Sequence, residues 1–99
     1  MAEAGISLGP DNTIVVSGDL SVETVADYRE DGIRLMGDLD TVVFDLAGCK
    51  IKGSAGIALL IAWQRAAARA EKTVSYQNAS EELLAIAKAC GVEKIVPFA

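Results

Sequence analysis

CKIKGSAGIALL, residues 49–60, separates two runs of different period. Before it, Thr41–Leu46 (TVVFDL) is nearly continuous in apolar and β-branched residues. That is the pattern of a central strand covered on both faces, with Asp45 interrupting it near its carboxyl end. After a loop, AGCKIKG, a helix is expected from Ser54 to Ala70, and Thr73–Gln77 (TVSYQ) reads as a further strand. Such a strand-helix-strand unit is nearly always a right-handed crossover between parallel strands. Ser54, between Gly53 and Gly56, is therefore the N-cap or first residue of a helix that starts at the carboxyl end of the central strand. In open α/β sheets that edge is where ligand sites gather.

Working outward, Thr13–Ser17 (TIVVS) is a short β-branched strand, and Ile6–Leu8 is placed to pair with it as a hairpin through the Gly9–Asn12 turn. Ser21 stands at an N-cap position with Glu23 in the first turn, opening a helix that runs to Met36 and ends at Gly37. Gly32 inside it costs about 1 kcal/mol relative to alanine and weakens or bends the helix there. Ser80, followed by Glu81 and Glu82, caps a third helix with Leu83, Leu84, Ile86, Ala87 and Cys90 on one apolar face, stopped by Gly91. The tail VEKIVPF adds a short helical turn or an edge segment, since Pro97 cannot sit in a central ladder. The expectation is one α/β domain over residues 1–99, a mixed four- to five-stranded sheet with three to four helices.

Composition removes several function classes. With 52% hydrophobic and 23% charged residues the chain is a well-packed globule rather than a disordered one. A formal net charge of -5 argues against nucleic acid as a partner, because phosphates call for a basic face. The start, MAEAGISLGPDN, has neither a positive n-region nor an apolar h-region, so the protein is expected in the cytoplasm. The apolar run at residues 57–61 is far short of the roughly 20 residues a membrane-spanning helix needs. Cys49 and Cys90 lack a CxxC spacing and the chain contains no histidine, so no metal site or Cys/His couple is expected. Both cysteines read as reduced packing residues.

Ser54 allows two readings: a plain helix cap, or a hydroxyl whose phosphorylated form would sit in the favourable field of a helix N-terminus. Phasing at about 100° per residue puts Ala55, Leu59, Ala62, Trp63, Ala66, Ala67 and Ala70 on one face, taken as the core side. Ile57, Ile61, Gln64, Arg65 and Ala68 then fall on the other. The two isoleucines beside Arg65 are either an exposed apolar patch with a polar rim or are covered by another part of the chain. GCKIKGS resembles a phosphate-binding loop only superficially, because Lys52 precedes Gly53 instead of following it and only Asp45 is available to hold magnesium. A serine nucleophile would need a base, and no histidine is present to take its proton. The chain reads as a non-enzyme that uses no cofactor.

DLAGCKIKGSAGIALL, the Ala/Arg-rich helix after it, TVSYQNASEELLAIAKACGV and the closing IVPF together resemble a STAS domain over nearly the whole chain. This is the fold of anti-sigma factor antagonists and of sulphate-transporter tails. The most specific part is the family's Asp-Ser-Ser/Ala-Gly-Leu segment, which here reads Gly53-Ser54-Ala55-Gly56-Ile57. Within the family, SAGIALLIAW is most similar to the small stand-alone STAS subunit of Mla-type phospholipid ABC transporters. That resemblance implies a non-catalytic subunit that binds and supports the transporter's ATPase, with Lys52, Gly53, Ser54, Ile57, Ile61 and Arg65 as the docking residues. The likeness to anti-sigma factor antagonists implies instead a regulator phosphorylated on Ser54 by an anti-sigma factor kinase. The family's Asp before this serine is Gly53 here, preceded by Lys52, which removes a carboxylate and alters the local charge. A nucleotide-binding module is a third alternative.

Overall fold

The computed structural model describes residues 5–51 and 53–98, so Lys52 lies outside the described residues. In chain order the elements are β1 (Gly5–Leu8), a 3-10 turn (Pro10–Asn12), β2 (Thr13–Leu20), α1 (Val25–Met36), β3 (Thr41–Ile51), α2 (Ala55–Arg69), β4 (Thr73–Gln77) and α3 (Glu81–Ala89). The strands form one mixed sheet in the order β1-β2-β3-β4. The expected hairpin is present, with β1 antiparallel to β2 from Gly5↔Ser17 to Leu8↔Ile14. Asp11 and Asn12 turn the chain with φ of 58° and 60°, the left-handed conformation that short polar side chains tolerate. The predicted β3-α2-β4 crossover is also present, β3 and β4 pairing in parallel from Thr41↔Thr73 to Asp45↔Gln77. The tail supplies the edge segment: Phe98 bridges Tyr76 in parallel, and Tyr76 N–H donates to the Pro97 carbonyl at 3.0 Å.

Two strands run further than their sequence suggests. β3 continues through Ala47 and Gly48 to Ile51 by means of a bulge against β2, where pairing shifts from Val15↔Asp45 to Ser17↔Gly48. Asp45 accepts the Ala47 N–H at 3.0 Å, so the residue that looked like a breaker satisfies the bulge's extra donor. β2 likewise carries on through Gly18 and Asp19 to Leu20. Residues 47–51, expected as loop, are thus strand.

Burial alternates along β2 and β3: Ile14 and Val16, then Val42, Phe44 and Leu46, point inward, while Val15, Val43 and Asp45 are only partly covered. The sheet is therefore covered on one face, not two. Buried residues from α1, α2 and α3 join these in a single core. At its centre Phe44 stacks on Trp63 with ring centroids 4.3 Å apart, and Tyr76 tilts against Phe44 at 5.4 Å. The polar tips of three aromatic residues each donate to a carbonyl: Tyr76 Oη to Leu60, Tyr28 Oη to Ser17 at 2.6 Å, and Trp63 Nε1 to Arg29 at 3.2 Å. Burial pushes the Tyr76 phenol far above its ordinary range.

The two hydroxyl caps expected from the sequence have different fates. Ser80 caps α3 as expected, its Oγ accepting the Leu83 N–H at 3.1 Å. Ser21 does not cap α1. Residues 21–24 form a turn in which the Ser21 carbonyl accepts the Thr24 and Val25 N–H groups, and Thr24 precedes the helix. Thr24 Oγ1 locks the turn by donating to the Asp19 carbonyl at 2.8 Å and accepting the Ser21 N–H at 3.0 Å.

Gly32 is a packing residue of α1. A β-carbon there would lie 2.8 Å from Trp63 Cζ2 and closer still to Nε1, so only glycine lets the indole reach the Arg29 carbonyl.

Candidate functional site

β3 carries the chain to the sheet's carboxyl edge, and Gly53, at φ +75°, turns it into α2 in a conformation that L side chains rarely adopt. Ser54 is the N-cap residue, and its carbonyl accepts the Ala58 N–H at 3.1 Å. Its hydroxyl makes no capping bond, because the residue has α-region dihedrals (φ -78°, ψ -8°) rather than the extended ones that aim a cap oxygen back at the helix. Gly53 and Ser54 are both exposed. Among the described residues the Ser54 hydroxyl therefore has no structural role that would occupy it.

Asp45 is held elsewhere. It accepts from Asn78 Nδ2 at 3.0 Å as well as from Ala47, and these bonds lower its pKa from the ordinary carboxylate value. The carboxylate ties the end of β3 to the segment after β4. No group of three or more His, Cys, Asp or Glu side chains able to hold a metal occurs among the described residues.

The expected docking set does not lie on one surface. Ser54, Gly53 and Arg65 are exposed, but Ile57 is only 4% exposed and belongs to the core. Ile61 is half-buried and packs against the core. The inward residues of α2 are Gly56, Ile57, Leu59, Leu60, Trp63 and Ala67. This face is rotated from the expected one by roughly 70°, less than one residue step of about 100°. Ala55, Ala62 and Ala66, expected inside, are only partly covered, and Ala70 is exposed. The exposed apolar surface next to Ser54 is a groove between α1 and α2, lined by Val22, Val25 and Ala26 on one side and Ala55, Ala58 and Ala62 on the other. Sequence reasoning missed it, although the small residues at 55, 58, 62 and 66 were a readable sign of a shallow helix face.

The cysteines also divide. Cys49 is buried, its thiol donating to the Leu46 carbonyl at 3.1 Å and pushed up to about 11 chiefly by burial. A thiol so protonated is inert. Cys90 is exposed, not packed.

Residues 7–97 match the model of a family described as "Mlab, STAS domain". The chain belongs to the STAS domain family. Solved structures agree with the STAS fold. The anti-sigma factor antagonist SpoIIAA in its unphosphorylated form superposes with a TM-score of 0.73 at 16% identity, covering 96% of this chain and 88% of that one. An anti-sigma-factor antagonist (STAS) domain protein from Planctomyces limnophilus gives a TM-score of 0.74 at 20% identity, covering 99% and 91%. No curated protein matches the sequence. No helix among the described residues of this STAS domain is long and apolar enough to cross a membrane.

Proposed function

We propose that this STAS domain is a non-catalytic docking subunit that binds and supports the ATPase of a phospholipid ABC transporter of the Mla type. The observation that carries the reading is the match of residues 7–97 to the Mlab family model, in the chain whose SAGIALLIAW segment resembles the transporter subunit. The site offers features suited to recognition: an exposed Ser54, a structurally engaged Asp45 and, next to Ser54, an apolar groove. Docking centres on Gly53, Ser54 and Arg65, with Lys52 as a further candidate contact; Ile57 contributes from within, by fixing the helix. Location in the cytoplasm, and at the inner membrane only through the transporter, follows from this reading.

A second reading has its own observation. The Ser54 hydroxyl is exposed, makes no capping bond and stands at a helix N-terminus, where a phosphoryl group is electrostatically favoured. An anti-sigma factor antagonist controlled by a kinase needs such a hydroxyl. The transporter reading is preferred because Gly53 replaces the acidic residue of the family motif.

Purification of the tagged protein from its own cells, with mass spectrometry of what accompanies it, separates the two. An ABC ATPase should co-purify with the wild type and fall at least ten-fold with Ser54→Asp, which leaves the fold intact. Recovery of an anti-sigma factor kinase in its place would move the protein to the regulatory class.

A further inference from the structure

The groove between α1 and α2 changes character along its length. The half beside Ser54 is mainly apolar, has a volume of about 360 Å³ and has Leu59 among its lining residues, with Arg29 and Ala62 shared with the other half. Val22 at its mouth is 81% exposed, a large hydrophobic surface left in water. The half toward the end of α2 is lined by Arg29, Arg65 and Arg69, together with Ile33 and a single carboxylate, Glu30.

The charge is the unusual feature. The chain has 9 lysines and arginines against 14 acidic residues, yet three arginines converge on this one groove. Among the described residues the ion pair formed is Arg34–Asp31 at 3.2 Å, and none of the groove arginines has one. Arg69 alone would be explained by the helix dipole, since it lies in the last turn of α2. Arg29 is within α1 and Arg65 is a turn earlier in α2, so the dipole does not account for them. The lining of this half thus holds three cationic side chains against one carboxylate, the reverse of the balance in the chain as a whole.

We infer that the α1–α2 groove receives an acidic amphipathic helix of the partner protein. Its apolar side lies on Val22, Ala26, Ala55, Ala58 and Ala62, and its carboxylates reach Arg29, Arg65 and Arg69. Alanines along one wall let a helix backbone approach closely, and helix-in-groove recognition reads apolar anchors at i, i+3, i+4 and i+7. Arginine forks supply bidentate carboxylate contacts and fix the orientation of the incoming helix. The inference rests on the docking-subunit reading but not on which partner it names.

The test places the photo-crosslinker p-benzoylphenylalanine at Val22 or Ile33, the two ends of the groove, in the full chain in its own cells. The crosslinked peptide is then sequenced by mass spectrometry. The expected product is an acidic amphipathic segment of another protein. Its yield should fall at least ten-fold with Arg65→Glu/Arg69→Glu and by a smaller factor with Arg65→Lys/Arg69→Lys, which keeps the charge but loses the fork, with circular dichroism confirming that both variants are folded. Crosslinks to lipid, to a second copy of the chain or to a basic or non-helical segment overturn the inference, as does absence of a crosslink at both positions. An acidic helix from a protein other than an ABC ATPase would retain the groove and sink the transporter reading. Co-purification of the ATPase with no groove crosslink would do the reverse.

Discussion

Ile57→Asp is expected to unfold the domain. The side chain is 4% exposed within the one apolar core, and no cation among the described core residues could pair with a carboxylate placed there. An unpaired buried charge costs several kcal/mol even after relaxation. A domain of this size holds roughly 5–15 kcal/mol in total. Circular dichroism and thermal melting should show loss of the cooperative transition, whereas Ile57→Val should cost only about 0.5–1.5 kcal/mol. A folded Ile57→Asp protein with an unchanged melting temperature would return Ile57 to the surface and overturn the α2 phase described above.

Gly32→Ala is expected to destabilise the domain, although helix propensity alone predicts the opposite sign by about 1 kcal/mol. The added methyl would occupy space held by the Trp63 indole. Moving the ring strains the packing, at roughly 1–3 kcal/mol. It also strands the Nε1 donor now bonded to Arg29 and disturbs the stack on Phe44, and a stranded buried donor costs roughly 1–3 kcal/mol more. The net expectation is a loss of about 2–4 kcal/mol, read as a lower urea midpoint at unchanged slope. A higher midpoint would mean that Trp63 can give way without cost.

These two residues also mark the limit of what the sequence discloses. Strand β4, the crossover through α2, the hairpin and the Ser80 cap are legible because each rests on a local signal: β-branched runs, a turn, a hydroxyl before two glutamates. The phase of α2 is not, because alanine is tolerated both inside and outside a fold. A helix rich in it has no sharply directed apolar face, and the direction is set by Leu60 and Trp63 meeting Tyr76 and Phe44 from other elements. Gly32 reads as a weak point in a helix since its reason for being glycine lies more than thirty residues away in Trp63. The extension of β3 is hidden in the same way, as the bulge is completed by pairing with β2 and by the Asp45 carboxylate. Of the site, Ser54 at the end of β3 is visible in the sequence, while the neighbouring groove requires α1 and α2 to be brought together.

The central claim is that this surface docks a protein and performs no reaction of its own. Its most direct test is titration of the purified STAS domain into the purified ABC ATPase subunit from the same cells, following complex formation and ATP hydrolysis together. The account predicts saturable binding that increases hydrolysis, weakens at least ten-fold with Ser54→Asp, and is accompanied by no hydrolysis from the STAS domain alone. Absence of binding to the ATPase, with binding instead to an anti-sigma factor kinase that lets go once Ser54 is phosphorylated, would contradict it.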